Sequence, residues 1–237
     1  MTGYRSSVAT VPETLNGPSA AIEAQALYRF FRAGEEETLA LQGVSLTVAA
    51  GEVVAVTGPS GSGKSTLMAL LAGLDEPDGG TVRVQGERLS HRTETARARM
   101  RARSIGVLFQ SGNLLAHLTV TANLDLAQQL SGHHRRPVIT GLLAELGLTS
   151  RATAYPAELS GGELARAGLA VALANEPAVL LADEPTGELD ASTEAQVLSL
   201  LTSRAAAGVA ILVASHSPAV AGIADRTITL ADGVVTS

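Results

Sequence analysis

Apolar and polar positions change their period several times along the chain. Between residues 39 and 48, Leu41, Val44, Leu46 and Val48 are spaced for one face of a pleated strand, and a turn is expected at Gly51. Residues 53–57 form a short β-branched run, the pattern of a strand buried on both faces. That run leads into Gly58-Pro59-Ser60-Gly61-Ser62-Gly63 and then a helical pattern over 65–71. A turn over 75–80 precedes a short strand at 81–84. Further buried strands are expected at 107–109, 179–182 and 209–214. Helical patterns occupy 163–174, 193–203 and 114–150, the last interrupted at Ser131-Gly132 and Pro137. Asp232-Gly233, between the apolar runs 228–230 and 234–235, has the composition of a type I′ hairpin turn.

Strands alternating with helices predict an α/β fold with a mainly parallel sheet covered by helices. The stretch 111–165 contains no strand pattern and reads as a helical insertion. Residues 1–20, rich in Ser, Thr, Pro and Gly, read as a loosely ordered tail, which leaves 21–237 as the folded domain. No internal repeat is visible.

Composition narrows the chemistry. The 237 residues include no cysteine, which excludes disulfides, Cys-ligated zinc, iron–sulfur clusters and thiol nucleophiles. Apolar residues make up 46%, enough for a sizeable core. Aromatics are 3% and the net charge is −6, an unfavourable basis for stacking on or neutralising a nucleic acid. The uncharged stretches 105–124 and 205–224 are long enough to span a bilayer. However, Gln110, Asn113, His117 and Asn123 interrupt the first, and Ser215, His216, Ser217 and Pro218 the second. The N-terminus shows no basic start followed by an apolar run, so no secretory signal is expected. These features predict a soluble, cytoplasmic protein. Sixteen of the 17 basic residues are Arg, and the single lysine is Lys64.

Lys64 lies in the motif Gly58-Pro-Ser-Gly-Ser-Gly-Lys-Ser65, which fits G-x-x-x-x-G-K-[ST] at every fixed position. Gly58, Ser60, Gly61, Ser62 and Gly63 would let backbone N–H groups curl around an anion, and the helix that follows adds its positive N-terminal end. Lys64 would reach the β- and γ-phosphates as a compact charge, and Ser65 would ligate Mg²⁺, with Thr66 beside it. An Arg fork could not easily take the place of that ammonium. The strand at 179–182 delivers Asp183 and Glu184 to its C-terminal end, where ligands bind in open α/β sheets. Asp183 would hold Mg²⁺ and Glu184 would polarise an attacking water.

Leu159-Ser160-Gly161-Gly162-Glu163, about 20 residues before that acidic pair, resembles the signature of the ATP-binding cassette (ABC) ATPases. Gln110 resembles the family's Q-loop, Glu188-Leu189-Asp190 its D-loop and His216 its switch histidine. The resemblance covers roughly residues 25–237. It implies a P-loop NTPase core with an antiparallel β subdomain and a helical subdomain at about 111–165. It further implies that Ser160, Gly161 and Gly162 act on ATP held by a second ATPase subunit, with Asp190 at that interface. Gln110 would contact Mg²⁺ or the attacking water, and His216 would sense the γ-phosphate. The family stacks an early-strand aromatic on adenine. Alignment places Phe31 there, with Tyr28 and Phe30 as alternatives.

The run 180–187, the segment Asn113-Leu114-Leu115 with His117-Leu118-Thr119-Val120, and the loop 34–37 are similar to the macrolide-export, lipoprotein-release and cell-division branch (MacB/LolD/FtsE-like). Leu164-Ala165 and Val171 depart from it. The resemblance implies an ATPase that uses ATP and Mg²⁺ and pairs with a second ATPase subunit. It would drive a membrane permease on a separate chain from the cytoplasmic face, as an exporter or extractor, with no nucleic-acid partner. An FtsE-like regulator that signals to a cell-wall enzyme, and a soluble ABC ATPase acting on nucleic acid, are the alternatives. Outside the motifs, the Arg-rich stretch 88–103 reads as a solvated helix face, and His133-His134 and Glu35-Glu36-Glu37 as polar loops.

Overall fold

The computed structural model describes residues 20–33, 36–132, 134–187 and 189–236. The expected tail, apart from Ala20, lies outside these residues, as do Gly34, Glu35, His133 and Glu188.

The β-branched run after Gly51 forms β3 (Val53–Thr57), an inner strand of a six-stranded sheet. It pairs in parallel with β8 (Ala210–Ala214) on one side and β9 (Arg226–Ala231) on the other. Beyond β8, β7 (Val179–Asp183) and β6 (Ile105–Leu108) continue the parallel order. The opposite edge is β10 (Val234–Val235), antiparallel to β9 across the expected turn, where Asp232 (φ 48) and Gly233 (φ 76) are both left-handed. Successive strand residues face opposite sides of a sheet. Val54, Val56, Val179, Leu181 and Leu212 therefore enter one core, and Val53, Ala55, Leu180, Ala182, Ile211 and Val213 enter the other. Burial on both faces is why these strands read as unbroken apolar runs.

The first core is closed by an antiparallel sheet in the order β2-β1-β4-β5 and by α1 (Lys64–Leu71). Its strands are β1 (Ala20–Ala33), β2 (Glu36–Ala49), β4 (Gly79–Val84) and β5 (Glu87–Arg88). Leu41, Val44, Leu46 and Val48 of β2 are all buried, as their spacing predicts. β1 sends Ile22, Ala24 and Leu27 into the same core. A register shift there, with Ala26 at φ 46 and its N–H donating to Ser45 Oγ at 2.8 Å, breaks the two-residue alternation that would have announced this strand.

The second core lies beneath α3 (Val120–Ser131), α4 (Arg136–Glu145), α5 (Gly161–Leu173) and α6 (Ala191–Ala206). Pro137 does not interrupt a helix; it lies in the first turn of α4, where its missing N–H leaves no bond unmade. Two side-chain amides tie α3 to the end of α5. Gln128 Nε2 donates to Ala174 O at 2.9 Å, and Asn175 Nδ2 donates to Ala102 O and Ala127 O at 2.9 and 3.0 Å. Among the described residues, no helix is long and apolar enough to cross a membrane.

The Arg-rich stretch differs from the simple solvated face its composition suggests. It forms α2 (Glu94–Ser104), on which Arg97 turns inward to pair with Glu76 and Glu94. Arg101 bonds Glu94 and the Gly73 carbonyl. Arg99 and Arg103 are the exposed guanidinium groups of this helix.

β6 and α5 meet at Gly106, where an added Cβ would lie 2.2 Å from the Ala172 carbonyl oxygen, a backbone atom with no rotamer to change. Gly106→Ala should therefore force strand and helix apart and destabilise the chain by about 2 kcal/mol. Denaturant titration reads the change; an unshifted midpoint would mean that this contact tolerates a methyl group.

Candidate functional site

The phosphate loop joins β3 to α1. Gly58 (φ 142) and Gly63 (φ 103) lie in the left-handed region, which side chains resist. Packing requires glycine at both as well. A Cβ at Gly58 would meet Leu230 O at 2.0 Å, and one at Gly63 would meet Ala40 O at 2.6 Å. The loop is thus wedged between β9 and β2. Ser62 is buried at its back, and its carbonyl accepts from Gly233 N at 3.0 Å. Lys64 Nζ curls over the loop and donates to Gly58 O at 2.6 Å and Pro59 O at 2.9 Å.

In front of the loop opens a cavity of about 610 Å³. Ser60, Gly61, Gly63, Lys64, Ser65 and Thr66 line it, together with Phe31, Gln110, Asp183, Glu184 and His216. Residues scattered across nearly the whole chain meet there because the sheet order brings the ends of β3, β6, β7 and β8 together. Of the three candidate aromatics, Phe31 lines the cavity and Tyr28 and Phe30 do not. The Arg29 guanidinium stands 4.8 Å from the Phe31 ring centre, a cation–π distance. Tyr28 packs instead toward Gly43 and Gly79.

Ser65 Oγ donates to Asp183 Oδ2 at 3.1 Å, so the hydroxyl and carboxylate expected to share a cation already adjoin. Glu184 takes a left-handed backbone (φ 49), uncommon for a side-chain-bearing residue, and its N–H donates to Ala214 O at 2.8 Å. Its Oε1 lies 4.0 Å from His216 Nε2. Its Oε2 accepts from Ser215 Oγ at 2.9 Å, a contact the sequence reading missed. In the sequence Ser215 stands out only as a polar residue in an apolar stretch. Gln110 and Glu184 also line a second, smaller cavity of about 380 Å³. Asn113 holds the backbone beside Gln110, accepting from Phe109 N at 2.7 Å and donating to Phe109 O at 2.6 Å.

Ser160, Gly161, Gly162 and Asp190 are not among the residues lining the phosphate cavity. They group elsewhere, at the starts of α5 and α6. Ser160 caps α5 in a reciprocal box: its Oγ accepts from Glu163 N at 3.3 Å, and Glu163 Oε2 accepts from Ser160 N at 2.8 Å. Asp190 caps α6, accepting from Ser192 N and Thr193 N at 3.0 Å and from Thr193 Oγ1 at 2.8 Å. The Thr193 backbone bond, then its hydroxyl, hold the Asp190 carboxyl below its ordinary range. A Cβ at Gly162 would stand 3.6 Å from both Arg166 Nη1 and Leu189 Cδ2, so the two groups of residues pack side by side. Glu188 of the expected D-loop lies outside the described residues.

A phosphate loop at the strand ends of a mainly parallel sheet, with an acidic pair on a neighbouring strand, defines an α/β P-loop nucleotide-binding domain. The chain belongs to the ABC transporter family, whose model matches residues 41–187. It is 40% identical over 218 residues to the macrolide export ATP-binding/permease protein MacB 1 of Yersinia pestis bv. Antiqua (strain Antiqua), a match that covers 91% of the chain and 34% of that protein. MacB of Hyphomonas neptunium is 41% identical, again with 91% and 34% covered. The chain therefore spans about a third of the length of the curated relatives it matches. Among solved structures, dimeric MJ0796, a bacterial ABC transporter cassette, superposes with a TM-score of 0.87 at 33% identity, covering 91% of the chain and 97% of that structure. A post-hydrolysis dimer of MJ0796 bound to ADP and Pi has the same TM-score at 32% identity, with 91% and 97% covered.

The Ser160 N–H, followed by the Arg151 guanidinium, lowers the Glu163 carboxyl from 4.5 to about 2. Its stabilising contribution is complete above pH 4.5 and is lost as the pH falls from there toward 2. The melting-temperature gap between the wild type and Glu163→Ala should be widest above pH 4.5 and close across that window. A gap that does not change with pH would mean that the box does not depend on the carboxylate charge.

Proposed function

We propose that the chain is the ATP-hydrolysing motor of a transporter and that it works as a dimer enclosing two ATP molecules. The observation that carries this reading is the separation of the two groups of site residues. Adenine would stack on Phe31, and the phosphates would lie in the loop 58–65 under Lys64. Ser160, Gly161 and Gly162 form a capped helix start outside that cavity, ready to meet the γ-phosphate held by a second copy. Asp190, beside them, would lie at the same interface.

The donor set also suits a magnesium ion. Ser65 Oγ and Asp183 Oδ2 are hard oxygens 3.1 Å apart, and Gln110 lines the same cavity. Among the described residues, no cluster of three or more His, Cys, Asp or Glu could hold a metal alone. That fits an ion bound by one or two protein oxygens together with phosphate oxygens. When bound, such an ion would neutralise charge on the β- and γ-phosphates. Glu184 would accept a hydrogen bond from the attacking water and His216 would help to orient it, while Lys64 and the loop N–H groups stabilise charge on the transferred phosphoryl group.

The relatives' names point to export, and the chain would serve as the cassette of an exporter or extractor that works with a membrane permease. This would place the cassette on the cytoplasmic face. An apolar groove of about 750 Å³ supports such a partner. It runs between α2, β6, α3 and α5, and Leu74, Phe109 and Leu130 are exposed along it. Phe109, on this groove, is the chain neighbour of Gln110, which lines the cavity in front of the loop.

Two substitutions test the reading. Glu184→Gln should bind ATP and accumulate as a dimer on size exclusion while hydrolysing it at least about 100-fold more slowly. Turnover at the wild-type rate would remove Glu184 from its assigned role. Lys64→Ala should weaken ATP binding by about 10-fold or more in equilibrium titration, and unchanged affinity would sink the phosphate-loop assignment.

A further inference from the structure

We propose that Ser215 is a positioning residue for the Glu184 carboxylate. The proposal rests on the reading of Glu184 given above. Ser215 follows β8 and is 2% exposed. Its N–H donates to Val56 O at 3.2 Å, which ties it to β3, the strand that runs into the phosphate loop. Its hydroxyl has a defined direction. The Ser217 N–H donates to Ser215 Oγ at 3.1 Å, so Oγ is the acceptor there and its own proton goes to Glu184 Oε2 at 2.9 Å.

One carboxylate oxygen is thereby held from behind. The other, Oε1, is left on the side of His216, 4.0 Å from Nε2. A glutamate side chain without such an anchor would populate several rotamers, and its terminal torsion is broad. Only a fraction of them would direct an oxygen toward a water in the cavity. Ser217 strengthens the arrangement, since its Oγ donates to Glu194 Oε1 on α6 at 2.8 Å. His216 thus sits between two anchored serines while its ring remains 61% exposed. One hydroxyl sets the carboxylate, and the same short segment sets the histidine, relative to the loop that holds the phosphates.

Losing the Ser215 hydroxyl should leave nucleotide binding intact and affect the hydrolytic step. In steady-state ATPase assays of the purified chain, Ser215→Ala should lower kcat about 10-fold, with KM for ATP changed by less than about two-fold. Ser215→Thr keeps the hydroxyl and should recover most of the rate. Ser215→Val has nearly the same shape without the hydroxyl and should not. This pair decides the matter even if the Ala variant folds poorly. In single-turnover assays, Ser215→Ala on a Glu184→Ala background should cause no further loss, because both changes remove one function. Three results would overturn the proposal: full turnover by Ser215→Ala, equal rates for the Thr and Val variants, or multiplying losses in the double variant. If Glu184→Gln itself hydrolysed ATP normally, the underlying site reading would fail. An inactive Glu184→Gln beside a fully active Ser215→Ala would overturn the Ser215 role alone.

Discussion

The closeness of the phosphate loop to its neighbours constrains everything else at the site. The loop can direct its N–H groups at an anion only if its backbone takes left-handed turns at Gly58 and Gly63. Only glycine fits at either position, because Leu230 O and Ala40 O leave no room for a Cβ. Leu230 belongs to the parallel sheet and Ala40 to the antiparallel one. The cradle therefore exists only where the two sheets meet, and the first core, which joins them, supports it directly. The closing hairpin takes part as well, since Gly233 N donates to the carbonyl of Ser62 behind the loop.

Around that loop the site is assembled in pieces that differ in how they are attached. Asp183 and Glu184 end a strand buried on both faces, and Glu184 is further bonded to Ala214 and Ser215. Ser160 and Asp190 belong instead to helix starts, each satisfied by local capping bonds. Capping makes these ends stable without burying them, so they can face another molecule. α3 and α4 share the second apolar core with the sheet, and the amides of Gln128 and Asn175 tie α3 to the end of α5.

Much of this was legible in the sequence because it is local. Buried parallel strands must be apolar on both faces, so they stand out as runs. A backbone that turns around phosphate must carry glycines at fixed spacing, and a capped helix start needs Ser160 with Glu163 three residues on. Other parts escaped because they depend on partners far along the chain. β1 was obscured by its bulge at Ala26, whose N–H is satisfied by Ser45 on the next strand. The inward turn of Arg97 toward Glu76 is invisible in a list of Arg residues.

Taken alone, the chain's order of residues determined the strand and helix periods, the phosphate loop, the acidic pair, the signature and the family they resemble. Each of these is written in residues only a few positions apart. Tertiary structure decided the rest. It put Phe31 rather than Tyr28 or Phe30 in the cavity in front of the 58–65 loop, because the bulged register of β1 sets which aromatic lies there. It also placed Ser215 behind Glu184, 31 positions apart, because β7 and β8 are neighbours in the sheet though not in the chain. Spacing can reveal a residue whose partner is the backbone beside it, but a residue whose partner is a distant side chain becomes visible only once the sheet order is known.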